Sequence, residues 1–101
     1  MNNTKWNEIR LAMHSLGNLA PLWRTKDLER AYISHWDNDW FYHFRIGGYK
    51  TIEWLELEIK SEQQRQTVLQ ALRTIRVPGE EIENSVRIYG YKELGEPVDY
   101  L

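Results

Sequence analysis

Eight of the thirteen aromatic residues in this chain fall between Tyr32 and Trp54. That concentration constrains the fold more than any other feature, because large rings stabilise a small core only when they find apolar neighbours to pack on. Two helix-period stripes flank the aromatic stretch and can supply those neighbours. Trp6, Ile9, Met13 and Leu16 recur at spacings of 3, 4 and 3, which predicts a helix over residues 4–16 with Thr4 as N-cap, Glu8 early and Gly17 as C-cap. Val68, Leu69, Leu72 and Ile75 make the second stripe. It opens on the capping-box sequence Ser61-Glu62-Gln63-Gln64, in which Ser61 and Gln64 satisfy each other's free backbone donors, and stops at Pro78-Gly79.

Between the stripes the pattern reads as strand. Asp37-Asn38-Asp39 and Gly47-Gly48 carry turn chemistry, the glycine pair suiting a type I′ hairpin. The prediction is an antiparallel meander over residues 28–36, 40–46 and 49–59, with residues 22–27 as its start or lead-in. A further strand follows over Val86 to Lys92, after an acidic loop. The expected order is α-β-β-β-α-β, a single α+β domain over residues 1–101 with both helices packed on the sheet.

Alternation then assigns two faces to the meander. Tyr32, Trp36, Trp40, Tyr42, Phe44, Ile46, Tyr49, Leu55, Leu57 and Ile59 are the expected core, with Glu53 among them needing a partner such as Tyr42 or Arg30. Glu56 and Glu58 read as the solvent side of the third strand. The other face places Ile33, His43 and Ile52 side by side, and His35, Phe41 and Trp54 side by side, flanked by Arg45 and Lys50. A half-solvated face is normally polar, and this one holds four large apolar residues and two histidines. Three readings compete for it: cover by a helix or by Tyr100 and Leu101, a homodimer or partner interface, or a ligand surface with stacking rings and histidine hydrogen bonds.

Composition narrows the function classes. A chain of 101 residues supports one domain, and its net charge of −2 lacks the cationic excess of a general nucleic-acid binder. With no cysteine there is no disulfide framework, thiolate zinc site or cysteine nucleophile. No apolar run approaches the roughly 20 residues that span a bilayer, and the polar first residues hold no apolar signal region, so a cytoplasmic protein with no membrane partner is expected. Residues 77–101 carry six acids and two bases, a mild acidic excess.

No catalytic signature emerges. A metal site needs three or four converging ligands; His14, His35 and His43 with Asp37, Asp39 or Glu56 form no such spacing, so no metal or cofactor is expected. Asp37-Asn38-Asp39 is better explained as a turn than as a calcium loop, since the later glycine and glutamate are absent. Gly47-Gly48 is no phosphate-binding loop, and no serine or threonine sits in a nucleophile elbow.

Lys5-Trp6-Asn7-Glu8, Trp23-Arg24-Thr25-Lys26, Trp40-Phe41-Tyr42-His43-Phe44, Tyr49-Lys50-Thr51-Ile52-Glu53-Trp54, Tyr89-Gly90-Tyr91 and Val98-Asp99-Tyr100 carry a resemblance over nearly the whole chain. With these motifs the chain resembles a small bacterial family, about one hundred residues long, known only as a domain of unknown function. The resemblance implies a compact bacterial protein and brings no activity, cofactor or catalytic residue. The sequence favours a non-catalytic binding or protein-interaction domain, homodimeric or similar to a toxin-neutralising immunity protein, with His35, Phe41, His43, Trp54, Ile33, Ile52 and Arg45 as the binding candidates. The alternative is a small-ligand-binding domain or small enzyme using an aromatic and histidine cleft on the same face.

Overall fold

The computed structural model describes residues 1–30, 32–45, 48–90 and 100–101. Helix α1 spans Asn3–His14, a 3₁₀ turn covers Gly17–Leu19, and strand β1 is Trp23–Asp27. Strand β2 is Ile52–Glu58, helix α2 is Glu62–Ile75, and strands β3 and β4 are Gly79–Ile82 and Ser85–Tyr89. All pairings are antiparallel and the sheet order is β1-β2-β4-β3. The fold is α+β as expected, but the order of elements is α-β-β-α-β-β rather than α-β-β-β-α-β.

Both helices begin as local chemistry dictates. The Asn2 side chain, two residues earlier than the expected Thr4 cap, accepts from the Lys5 amide at 2.9 Å. Ser61 caps α2 by accepting from the Gln64 amide at 3.0 Å. Gln64 reaches back not to Ser61 but to the Lys60 amide at 2.8 Å, and its amide nitrogen donates to the Leu19 carbonyl at 3.1 Å. At the other end Arg76 adopts a left-handed φ of 67°, and the Lys5 ammonium donates to the Ile75 carbonyl, a cation at the negative end of the helix.

Alternation along the strands sets two different sheet faces. Trp23, Leu55, Leu57, Val86 and Ile88 join Trp6, Ile9 and Met13 of α1 and Val68, Leu69 and Leu72 of α2 in one buried core. Gly90 lets α1 come close: a Cβ there would lie 2.2 Å from the Ile52 carbonyl oxygen and 2.9 Å from the Trp6 ring. Leu101 packs against the same core and its amide donates to the Val77 carbonyl at 3.3 Å.

The meander is the main correction. Residues 28–36 and 40–46 are not sheet strands among the described residues; the connection from β1 to β2 runs alongside β1 through isolated bridges of Trp23 with Asp37 and Lys26 with Ile33. Residues 40–45 are turns. The expected hairpin at Gly47-Gly48 involves Gly47, and the end of the last strand reaches Lys92; both lie outside the described residues.

Rings hold this connection where a strand ladder does not. Phe44 contacts Trp40 at 4.9 Å, Trp23 at 5.1 Å, Tyr49 at 5.6 Å and Trp6 at 6.1 Å between ring centroids. The Trp23 and Trp40 indoles donate to the Asp39 and Pro21 carbonyls at 3.1 and 2.9 Å. Of the predicted core, Trp40, Phe44, Tyr49, Leu55, Leu57 and Ile59 are buried, whereas Tyr32, Trp36 and Tyr42 are exposed and Ile46 is outside the described residues. Phe44→Ala should therefore destabilise the protein by about 3–5 kcal/mol in urea unfolding. A loss below about 1 kcal/mol would show that the connection is anchored by something else.

Candidate functional site

The turn after Asp37 decides which side chains reach solvent. Asp37 exchanges two backbone hydrogen bonds with Trp23, at 2.9 and 2.8 Å, and its carboxylate accepts from the Asp39 amide at 2.7 Å. The Asp39 carboxylate in turn accepts from the Phe41 and Tyr42 amides at 2.8 and 2.9 Å, as an aspartate does at the start of a helical turn. The chain then turns so that Trp40 and Phe44, four apart, point into the core, while Phe41, Tyr42, His43 and Arg45 are exposed. His43 Nδ1 lies 2.9 Å from an Asp37 carboxylate oxygen and its Nε2 3.7 Å from one of Asp39, so the turn is braced from both sides of the ring.

The result is an aromatic outer surface on the connection. Leu28, Tyr32, Ile33, Trp36, Phe41 and Tyr42 are exposed, from 38% at Trp36 to 57% at Tyr32 and Tyr42. Cations attend the rings. The Arg24 guanidinium stacks on Trp36 at 4.4 Å; those of Arg10 and Arg45 approach Phe41 at 5.6 and 5.8 Å. The His14 ring lies 5.8 Å from Phe41.

The sheet face away from the helices is built around a carboxylate. Glu56 is only 4% exposed, and one of its oxygens accepts from Arg24 Nε at 2.9 Å while the other accepts from Arg87 at 2.8 Å. The strand register places the three side chains directly across β1, β2 and β4. Arg87 in turn stacks on Trp54 at 4.3 Å. This corrects the expectation that Glu56 faces solvent: two guanidiniums and two indoles cover what alternation alone would leave open. Glu53, expected to meet Tyr42 or Arg30, pairs with Lys26 at 3.1 Å.

A small pocket of about 170 Å³ opens beside the turn, with Trp23, Phe44 and Ile52 among its apolar walls and Asp27, His43 and Thr51 among its polar ones. Asp27 is held in place there: its oxygens accept from the Glu29 and Arg30 amides and from the Thr51 hydroxyl. The Arg30 amide bond first, then those from Thr51 and Glu29, holds its carboxyl below the ordinary value. Among the described residues no three histidine, aspartate or glutamate side chains converge as metal ligands, and no helix is long and apolar enough to cross a membrane.

The structure thus disperses the seven binding candidates over four places. Phe41 and Arg45 share the exposed turn, and Ile33 and His35 lie exposed on the run alongside β1. His43 and Ile52 both line the small pocket, though not as strand neighbours. Trp54 is buried beneath Arg87 on the helix-free face. Trp36 and Tyr42 were missed as surface residues, and Arg10 as a buried cation beneath Phe41. The signal that could have found the turn was the four-residue spacing of Trp40 and Phe44 after an aspartate.

An α+β domain with two helices on one face of a four-stranded sheet, carrying an aromatic connection outside it, is the class of protein this architecture defines. The chain belongs to the family of unknown function DUF6678, whose model matches residues 1–95. No curated protein and no solved structure matches it.

Two outcomes follow from this geometry. Glu56→Ala should cost about 3 kcal/mol in denaturant unfolding, the low end for a broken buried pair because both arginines keep some water. A change within about 0.5 kcal/mol, the range of ordinary surface substitutions, would mean the pairing is incidental. The Asp39 carboxyl is held below its ordinary value by the Tyr42 and then the Phe41 amide, with the His43 ring adding to this. Its cap is therefore complete above the ordinary carboxyl range near pH 4 and is lost as pH falls through the lowered value. In an NMR titration followed at the Asp39 carboxyl carbon, protonation should begin only below about pH 4; a protonation step of that carboxyl above that point would contradict the assignment.

Proposed function

We propose that this protein is a non-catalytic interaction domain that meets a protein partner through the connection between β1 and β2. The observation that carries the reading is the outward projection of six large apolar side chains, Leu28, Tyr32, Ile33, Trp36, Phe41 and Tyr42, from this one segment. Scattered single apolar residues on a surface need no explanation, but a concentration on one element marks a contact site. Ile33, His35, Phe41 and Arg45 are its accessible members among the sequence candidates. His43 acts within it as a brace through Asp37 and Asp39.

A small-ligand site is the weaker fit. The pocket beside His43 holds about 170 Å³, below the roughly 300–1,000 Å³ of most ligand pockets. Its carboxylate, Asp27, already accepts from two backbone amides and the Thr51 hydroxyl. The cysteine-free chain needs no oxidising compartment, and we place the contact in the bacterial cytoplasm.

Site-specific photo-cross-linking in the source cell tests the reading. Replacing Trp36 or Tyr42 by p-benzoylphenylalanine should give a discrete adduct with one protein, and the same probe at Gln66, on the exposed side of α2, should give none. An adduct of twice the chain's mass would identify the partner as a second copy. Equal labelling from Gln66, or no adduct from either aromatic position, would overturn the proposal.

A further inference from the structure

We infer that the corner where α1 meets the connection binds an acidic, apolar-bearing segment of the partner protein. The inference rests on the interaction reading above and names the partner's chemistry. Its residues are Arg10, Leu11 and His14 of α1 with Phe41, Tyr42 and Arg45 of the turn.

Arg10 is the reason. It is only 9% exposed, donates to the Phe41 carbonyl at 3.1 Å, lies against the Tyr49 hydroxyl, and among the described residues leaves its Nε buried without an acceptor. Among the described residues neither Arg10 nor Arg45 has a carboxylate partner, whereas Arg24, Lys26, Arg65, Arg73 and Arg87 each pair with a glutamate. A buried guanidinium without a counter-charge is costly, and rings alone return only a small part of that cost. What Arg10 lacks among the described residues is an acceptor of negative charge, and a carboxylate suits a guanidinium better than any other side chain. Around it the surface is apolar and open: Leu11 is 52% exposed, Phe41 44% and Tyr42 57%. An occupant that satisfies both demands carries Asp or Glu beside a large apolar residue.

Other anionic occupants fit less well. A nucleic acid is held by many phosphate contacts, typically six to ten; this corner offers two guanidiniums on a chain of net charge −2. A second copy would have to offer its own acids, and the pair on β3 is already engaged within the chain. There Glu80 already accepts from the Tyr89 hydroxyl and Glu81 meets Arg65 and Arg73. Such a contact between unlike surfaces would have to repeat reciprocally across a two-fold axis or close into a ring.

Selection of a random-peptide phage library on the full chain tests this, followed by titration of the synthesised peptides by fluorescence anisotropy. Enriched peptides should combine Asp or Glu with Phe, Trp or Leu, and bind Arg45→Glu about tenfold more weakly or worse. Arg45 is exposed, so that variant keeps its fold; Arg10→Met, checked for folding by circular dichroism, should weaken binding as well. Peptides without acids, acidic peptides indifferent to Arg45→Glu, or no enrichment would overturn the inference. So would tighter binding of oligothymidylate, or self-association abolished by Arg45→Glu. If Phe41→Ser abolishes binding while Arg45→Glu does not, the interaction surface stands and the acidic class falls.

Discussion

The packing of Phe44 against four other rings is the contact on which the shape of this molecule depends. Trp6 comes from α1, Trp23 from β1, and Trp40 and Tyr49 from the connection itself. Each such pair contributes about 0.5–1.5 kcal/mol beyond the area it buries. Ordering a residue costs about 1–2 kcal/mol in backbone entropy, so a long connection with few ladder bonds has to be held by its side chains. The indole hydrogen bonds to Pro21 and Asp39 fix the orientation of two of those rings. One ring cluster thereby ties helix, sheet and connection into a single core.

That arrangement divides one short run of sequence between two tasks. In Trp40-Phe41-Tyr42-His43-Phe44-Arg45 the first and fifth residues are buried and the rest face outward. The inward pair anchors the turn; the outward residues are then displayed on a fixed base instead of a loose loop. Asp37 and Asp39 are needed for the same reason. They satisfy backbone donors that a strand ladder would otherwise have taken.

Much of the fold could be read from the residues because periodicity and capping agree in the helices. Both stripes predicted real helices, and Ser61 caps α2 as its sequence suggests. Strand β2 was also legible, since Leu55 and Leu57 alternate with glutamates. The connection was misread because aromatic residues favour strands and period two fits Trp40, Tyr42 and Phe44 as well as period four fits Trp40 and Phe44. Strand β3 was hidden by Gly79-Glu80-Glu81, which carries no apolar alternation and pairs only at the edge of the sheet. Glu56 looked solvent-exposed because its two arginines come from strands distant in sequence. Such cross-strand pairing leaves no local pattern. For the same reason the candidate surface was partly found: its residue types were visible, but which of them faced outward depended on the turn.

The ring cluster also has an optical consequence. Trp23 and Trp40 lie 5.8 Å apart, centre to centre, with their planes inclined at 47°. Two indoles so close and so fixed couple their electronic transitions, which gives a signed doublet in circular dichroism that isolated tryptophans lack. One indole sits in β1 and the other at the start of the turn, so the doublet reports directly whether the connection is seated on the sheet. The molecule carries its own spectroscopic gauge of that state, without any added label.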